Sequence, residues 1–302
     1  MSAGAASFGH TPVLLGEVLS VLAPASGGVY LDATVGGGGH AEAILERSAP
    51  AGRLIGIDRD AAAVAATRVR LAPFEGRVTL VHGRFGDVEA QLAALGVARV
   101  GGLVADLGVS SPQLDDPGRG FSFREAGPLD MRMDPSRGRT ALDVLGTLAE
   151  RELADLLYAY GEERRSRPIA RSIHRALAAG QLETTEDLRR AVVRVTGPRR
   201  GGIDPATRTF QALRLAVNEE LEELDALLAA LPAVLEDGGV AALISFHSLE
   251  DRKVKRAFRG TPALLPLTKK PVVAGDEERG RNPRARSAKL RAAVRRPRTE
   301  AP

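Results

Sequence analysis

Apolar residues recur along this chain with two different rhythms, and the change of rhythm divides it. Up to about residue 107, short apolar runs alternate with amphipathic stretches. The runs near 29–34, 53–58, 77–82 and 100–107 read as strands. The segments near 11–22, 39–48, 60–71 and 87–95 carry their apolar positions at helical spacing. Alternation at this interval predicts an α/β domain with a parallel, doubly wound sheet. Between 110 and 140 the rhythm stops, and turn formers and charges take over. So long a loop in a compact domain is usually functional or disordered. Residues 139–200 are helical in pattern, with Leu153, Leu156, Leu157 and Tyr160 on one face and Ile169 and Ile173 on the next segment. Thr184 with Asp187 marks a helix start. One long helix is predicted over 206–231, where Phe210, Leu213, Val217, Leu221, Leu224, Leu228 and Leu231 recur at spacings of three and four before Pro232. Val240–Phe246 then reads as a buried strand, so the sheet resumes after a helical insertion. The predicted organisation is a first part of the core over 1–110, an inserted loop and helical domain over 111–204, and a second part of the core over 205–302.

One run stands out within the first part: Asp32-Ala33-Thr34-Val35-Gly36-Gly37-Gly38-Gly39-His40, followed by Ile57-Asp58. It is a strand, a glycine turn, a helix carrying Ala41, Ile44 and Leu45, and a second strand ending in a carboxylate. This is how a nucleoside-containing cofactor is held at the edge of a parallel sheet. Glycines let the backbone approach a ligand, and the helix start offers N–H groups to an anion. Asp58, 20 residues after Gly38, has the reach to meet ribose hydroxyls. A P-loop is excluded, because His40-Ala41 stands where Lys-Ser/Thr would be needed. A dinucleotide and S-adenosylmethionine both remain open. The second is favoured, since it carries a carboxylate and no phosphate and tolerates an acidic strand end such as Asp32 near its positive groups. A glycine turn without a ligand is the plain alternative.

Composition narrows the chemistry. The chain of 302 residues has no cysteine, which excludes disulfides, thiolate-bound clusters and Cys-ligated zinc. It also excludes methylation of cytosine C5 by the covalent route, which needs a thiolate nucleophile. His40, His82, His174 and His247 show no metal-ligand spacing, and no metal is expected. No secretory signal and no bilayer-length apolar run are apparent, so a soluble, cytoplasmic protein is expected. The net charge is +4, but from Arg252 onward there are 16 basic and 4 acidic residues, against 26 and 34 in the rest. A basic end on an acidic body predicts a polyanionic partner, or else a solvated tail. Ala288, Leu290 and Val294 fall at alternate positions, consistent with a strand inside that end.

Further candidates lie along the chain. Asp106 ends the fourth strand in Asp106-Leu107-Gly108-Val109-Ser110-Ser111-Pro112-Gln113, at the carboxyl edge where ligands of such sheets sit. A carboxylate there can take the proton of a conjugated amine. Capping a turn is its ordinary alternative. Phe85 follows the third strand and can pack on an adenine face or in the core. Phe121-Ser122-Phe123 with Met131-Arg132-Met133 reads either as a water-excluding lid over a base or as a small core docking the loop to the helical insertion. Ser245-Phe246-His247-Ser248 closes a strand at the same sheet edge, lining a substrate cleft or capping a helix. Asn282-Pro283-Arg284-Ala285-Arg286-Ser287 holds two arginines in a turn suited to phosphate.

Taken together with His10-Thr11-Pro12-Val13-Leu14-Leu15, Pro205-Ala206-Thr207-Arg208-Thr209-Phe210-Gln211 and Ile244-Ser245-Phe246-His247-Ser248-Leu249-Glu250-Asp251, these blocks resemble the MraW-type bacterial methyltransferases from about residue 9 to 294. That resemblance implies a Rossmann-like class I S-adenosylmethionine-dependent methyltransferase core with a helical domain inserted after the fourth strand. It implies methylation of the N4 atom of a cytidine in the decoding region of 16S rRNA. The family's S-adenosylmethionine contacts fall on Gly38, Gly39, His40, Asp58, Phe85, Asp106 and Gln113, and Asp106 is the expected catalytic residue. The expected partner is 16S rRNA or the small ribosomal subunit, with a homodimer left open. The rival readings are another RNA as methyl acceptor, a nicotinamide-dependent oxidoreductase, and a non-catalytic rRNA-binding assembly factor.

Overall fold

The computed structural model describes residues 12–198 and 202–297. His10 and Thr11 of the N-terminal motif lie outside the described residues. Contacts divide the chain into two units, Met1–Gly108 with Leu221–Pro302, and Val109–Glu220.

The first unit is built on seven strands: β1 Val29–Asp32, β2 Arg53–Asp58, β3 Val78–His82, β4 Val100–Asp106, β5 Leu235–Ser245, β6 Leu264–Pro266 and β7 Lys289–Arg295. Their order across the sheet is β3-β2-β1-β4-β5-β7-β6. The pairs β3–β2, β2–β1, β1–β4 and β4–β5 are parallel, and β7 runs antiparallel between β5 and β6. The parallel strands read as near-continuous apolar runs because both faces are covered. Alternate residues serve opposite faces: Leu31, Ile55, Ile57, Leu103 and Leu243 enter one core, and Tyr30, Leu54, Val104, Ala242 and Ile244 the other. Each fully buried Leu or Ile contributes about 1.5–3 kcal/mol relative to exposure. The helix Glu220–Val234 supplies Leu224, Leu227, Leu228 and Leu231 to the first face.

The basic end is no solvated tail over 289–295. It forms β7, whose Arg291 and Arg295 are buried. Arg291 meets Asp251 at 2.6 Å, and Arg295 pairs with Asp237.

The second unit holds the helices Ala141–Thr147, Glu150–Gly161, Ser166–Ala178, Thr185–Thr196 and Thr207–Asn218 around a single apolar core. Thr184 caps its helix as the sequence predicts: Thr184 N donates to Asp187 Oδ2 at 3.0 Å and Asp187 N to Thr184 Oγ1 at 3.2 Å. The long helix expected over 206–231 is two helices. Glu219 adopts φ 52, and the first helix closes with its N–H on Leu215 O. The break has a purpose for Asn218, whose side chain turns away to serve the loop backbone. Phe210 and Leu213 of Thr207–Asn218 bury in the second unit's core, so that unit extends to Glu220 rather than ending at 204. The second helix also runs on past the expected end, through Pro232 to Val234.

The loop around 116–134 is the small core rather than an open lid. Phe121, Met131 and Met133 are buried, and Phe123 meets Phe210 edge to face at 4.8 Å. Asn218 Nδ2 donates to Met131 O at 2.7 Å, and Met133 N donates to Asn218 Oδ1 at 2.8 Å. Arg119 donates to Arg132 O and Met133 O. Among the described residues no helix is long and apolar enough to cross a membrane.

Candidate active site

Parallel strands bring their carboxyl ends to one edge of the sheet, and here three of those ends are aspartates. Asp32 closes β1, Asp58 closes β2 and Asp106 closes β4. The order of strands reverses between β1 and β4, from β1-β2-β3 on one side to β4-β5 on the other, and this is the switch point where ligands of such sheets bind.

The glycine turn is held by side chains from distant elements. Gly36 N donates to Asp58 Oδ2 at 2.8 Å, and Asp60 N donates to Asp58 Oδ1 at 2.8 Å. Thr67 Oγ1 donates to Gly36 O at 2.6 Å, and Arg70 to Gly37 O at 3.1 Å. Gly36 and Gly38 stand at φ 50 and φ 80, where a side chain is strained. At Gly39 the requirement is space, since a Cβ would come 2.3 Å from Pro12 Cγ. Across the switch point, Asp106 N donates to Thr34 Oγ1 at 2.6 Å, which ties the end of β4 to the turn after β1.

Burial governs the charge of all three carboxyls. Asp32 is 2% exposed. Desolvation pushes it up to about 8, against a hydrogen bond from Thr34 N and with help from the Asp106 and Asp58 charges. Burial pushes Asp58 up to about 6 against its two backbone donors. Burial likewise pushes Asp106 up to about 7, with the Arg284 charge opposing and the Glu250 charge reinforcing the rise. Asp32 Oδ2 and Asp106 Oδ1 are buried without a hydrogen-bond partner among the described residues. Unpaired carboxyl oxygens in a dry site are costly, and a cationic ligand relieves that cost. The glycine turn and the acidic strand ends therefore fit a cofactor that combines a nucleoside with positive groups.

The other predicted residues fall in different surroundings. The His40 ring is buried in the helix Gly39–Arg47, with Nε2 3.0 Å from Val13 O. A carbonyl only accepts, so Nε2 carries the hydrogen and the ring anchors the segment before the helix Leu15–Leu22. Phe85 opens a short 3₁₀ turn, Phe85–Asp87, and is partly buried against the sheet core. Gln113 belongs to the second unit, where its Oε1 accepts from Ser110 N at 3.0 Å in a capping box.

Two motifs that the sequence left as a cleft lining and a phosphate turn converge beside Asp106. In the β4–β5 register Asp106 faces Ile244, two residues before Phe246. The Arg284 guanidinium lies over the Phe246 ring at 5.8 Å. Phe246 N and His247 N donate to Glu250 Oε2 at 2.9 and 3.3 Å, and His247 Nε2 lies 3.0 Å from Glu250 Oε1. Asp32, Glu250 and Arg284 are the residues whose part in the site sequence reading understated. Only Asp32 carried a local signal, an acid at the end of a strand leading into glycines.

A doubly wound sheet with a glycine turn after β1 and acidic ends on β1, β2 and β4 is the framework of an S-adenosylmethionine-dependent methyltransferase. Comparison with known proteins makes this specific. The model of the MraW methylase family matches residues 7–296, and the chain belongs to that family. It is 64% identical over 287 residues to a protein of Sorangium cellulosum named Ribosomal RNA small subunit methyltransferase H, covering 95% of this chain and 90% of that one. Proteins of the same name from Thermomicrobium roseum and a Geobacter species are 50% and 49% identical, covering 95% and 94% of this chain and 93% and 97% of theirs.

Proposed function

We propose that this chain transfers a methyl group from S-adenosylmethionine to the N4 atom of a cytidine in the decoding region of 16S rRNA. The rRNA of the small subunit as acceptor is supported by the names of the relatives. The position on the base is supported by one observation above the others, the Asp106 carboxyl at the end of β4. It is buried, one oxygen has no partner, and its proton affinity lies near neutrality. A general base works best when its pKa is close to the operating pH.

When bound, S-adenosylmethionine supplies an electrophilic methyl group on a positively charged sulfur. The chain's residues do the rest. Gly38 and Gly39 let the backbone come close. Asp58 already accepts from Gly36 N and Asp60 N, and a carboxylate has about four acceptor directions, which leaves capacity for ribose hydroxyls. Phe85 offers its ring to the adenine. His40 holds the preceding segment in place. The exocyclic amine of cytosine is a weak nucleophile while its lone pair is conjugated with the ring. Asp106 orients that amine and takes its proton as the new bond forms, and most of the acceleration comes from alignment. The base leaves its stack to reach the carboxyl. Attack by a thiolate on C6, the route to C5 methylation, is closed to a chain without cysteine.

The test is incubation of small subunits, from cells lacking this protein, with methyl-labelled cofactor. Nucleosides from the 16S rRNA are then identified by mass. Label in N4-methylcytidine at one site is the expected result. Label on a ribose, on C5 or on a different RNA overturns the assignment.

A further inference from the structure

The 16 basic residues from Arg252 onward do not act as one cloud, because the fold sorts them. Arg291 and Lys289 are drawn to Asp251, Arg295 to Asp237, Lys253 to Asp225, Arg279 to Asp276 and Arg281 to Glu277. Of the others, Lys255, Arg256 and Arg259 stand beside Arg252 on one helix, Ser248–Gly260, while Arg286 and Arg296 are exposed elsewhere. Arg252, Lys255, Arg256 and Arg259 are all exposed. They stand at i, i+3, i+4 and i+7, which at 3.6 residues per turn places them within an arc of about 100°. Val254 and Phe258 occupy the opposite face and are buried in the sheet core. The two acids of the first turn are turned elsewhere: Glu250 accepts from Phe246 N and His247 N, and Asp251 is held by Arg291.

The stripe continues past the helix. Arg259 donates to Lys269 O at 3.5 Å, which brings the exposed pair Lys269 and Lys270 to its far end. No carboxylate pairs with Lys255, Arg256, Lys269 or Lys270 among the described residues. At about 1.5 Å of rise per residue the helical part alone runs about 10 Å. The helix begins three residues beyond the end of β5, the strand that neighbours Asp106, so the stripe starts at the edge of the sheet where the acceptor base is handled. It carries no exposed aromatic residue on which a base could stack.

The geometry points to this face of Ser248–Gly260, continued by Lys269 and Lys270, as a track for the RNA sugar–phosphate backbone leading away from the acceptor nucleotide. This rests on the reading of the site as an rRNA methyltransferase. The contact is electrostatic and indifferent to sequence, since phosphates position a nucleic acid and bases specify it. Its signature is therefore salt dependence rather than base preference.

The experiment uses the full chain and a decoding-region fragment of 16S rRNA, with binding measured across a salt titration. Lys255→Gln with Arg256→Gln is expected to weaken binding about tenfold at moderate salt. It should also make the slope of log Kd against log salt shallower by about 1.4–1.8, for two lost phosphate contacts. Lys255→Arg with Arg256→Lys should keep both close to wild type, and the affinity for S-adenosylmethionine should be the same in all. A glutamine pair with wild-type melting temperature, wild-type affinity and wild-type slope overturns the inference. So does a loss confined to assembled subunits, which would assign the face to a ribosomal protein. If wild-type protein binds the fragment with the expected slope but places no label in N4-methylcytidine, the proposed reaction fails while this track stands.

Discussion

The two units of this protein each immobilise an irregular stretch of backbone, and they do it by opposite means. In the first unit the glycine turn is clasped by ionisable groups, with Asp58 accepting from Gly36 N and Asp60 N, and two neighbouring carboxyl oxygens are left buried and unmatched. In the second unit the loop around Met131 is clasped by the neutral amide of Asn218, which both donates to Met131 O and accepts from Met133 N. Asp58 reaches 22 residues back to Gly36, and Asn218 reaches 85 and 87 residues back to Met133 and Met131. The difference is that Asn218 finds its partners within the fold, whereas one oxygen each of Asp32 and Asp106 finds none among the described residues. Unmatched buried carboxyls sit where a ligand with positive groups fits, and a neutral amide serves where the task is only to hold a loop.

The strongest way to break this contrast is Asp106→Asn. Removing a general base costs on the order of 10²–10⁴ in turnover. Replacing an unmatched carboxyl by a neutral amide should leave the melting temperature unharmed. Turnover at the wild-type rate with cofactor bound would deny Asp106 its proton. Next in size, Asn218→Ala strips partners from two buried backbone groups and should lower unfolding stability by about 1–3 kcal/mol, read from denaturant titration. If stability is unchanged, Asn218 is not the clasp.

The smallest effect sharpens the comparison through pH. Asp32, Asp58 and Asp106 all bind protons more tightly folded than their ordinary value of 3.8, reaching about 8, about 6 and about 7. Between about pH 4 and about pH 8 the folded chain therefore holds more protons than the unfolded chain. The stability of the cofactor-free protein is full at the acid end of that window and falls as pH rises through it. Asp32→Asn removes the largest of the three contributions. Its melting temperature should decline less between pH 5 and pH 8 than that of wild type, by about 2–4 °C for each kcal/mol recovered. Parallel curves for the two proteins would show that Asp32 is ionised throughout.

Sequence rhythm exposed the parts of the fold whose cause is local. Strand, glycine turn, helix and strand-end acid follow one another within 32–58, so the turn and Asp58 could be read directly. Thr184 and Asp187 are three residues apart and announced their cap. Features set by distant partners were not legible in the same way. Leucine spacing ran unbroken through 218–220, yet the helix breaks there, where Asn218 engages Met131 and Met133 more than 80 residues away. Phe121 and Met133 were readable as a small core, but nothing local named Phe210 and Leu213 as the residues they bury with. Arg284 and Phe246 look unrelated along the chain and meet only because β7 returns beside β5.

That return of β7 governs how the molecule can be made. The strand comes after β6 in synthesis but occupies the place between β6 and β5, so the sheet cannot close until β7 has been made. The continuous stretch Val109–Glu220 has no such wait and can fold while translation proceeds. A shortened chain that stops before Lys289 would leave β5 with an open edge and Asp251 and Asp237 without their arginines, a species prone to aggregation.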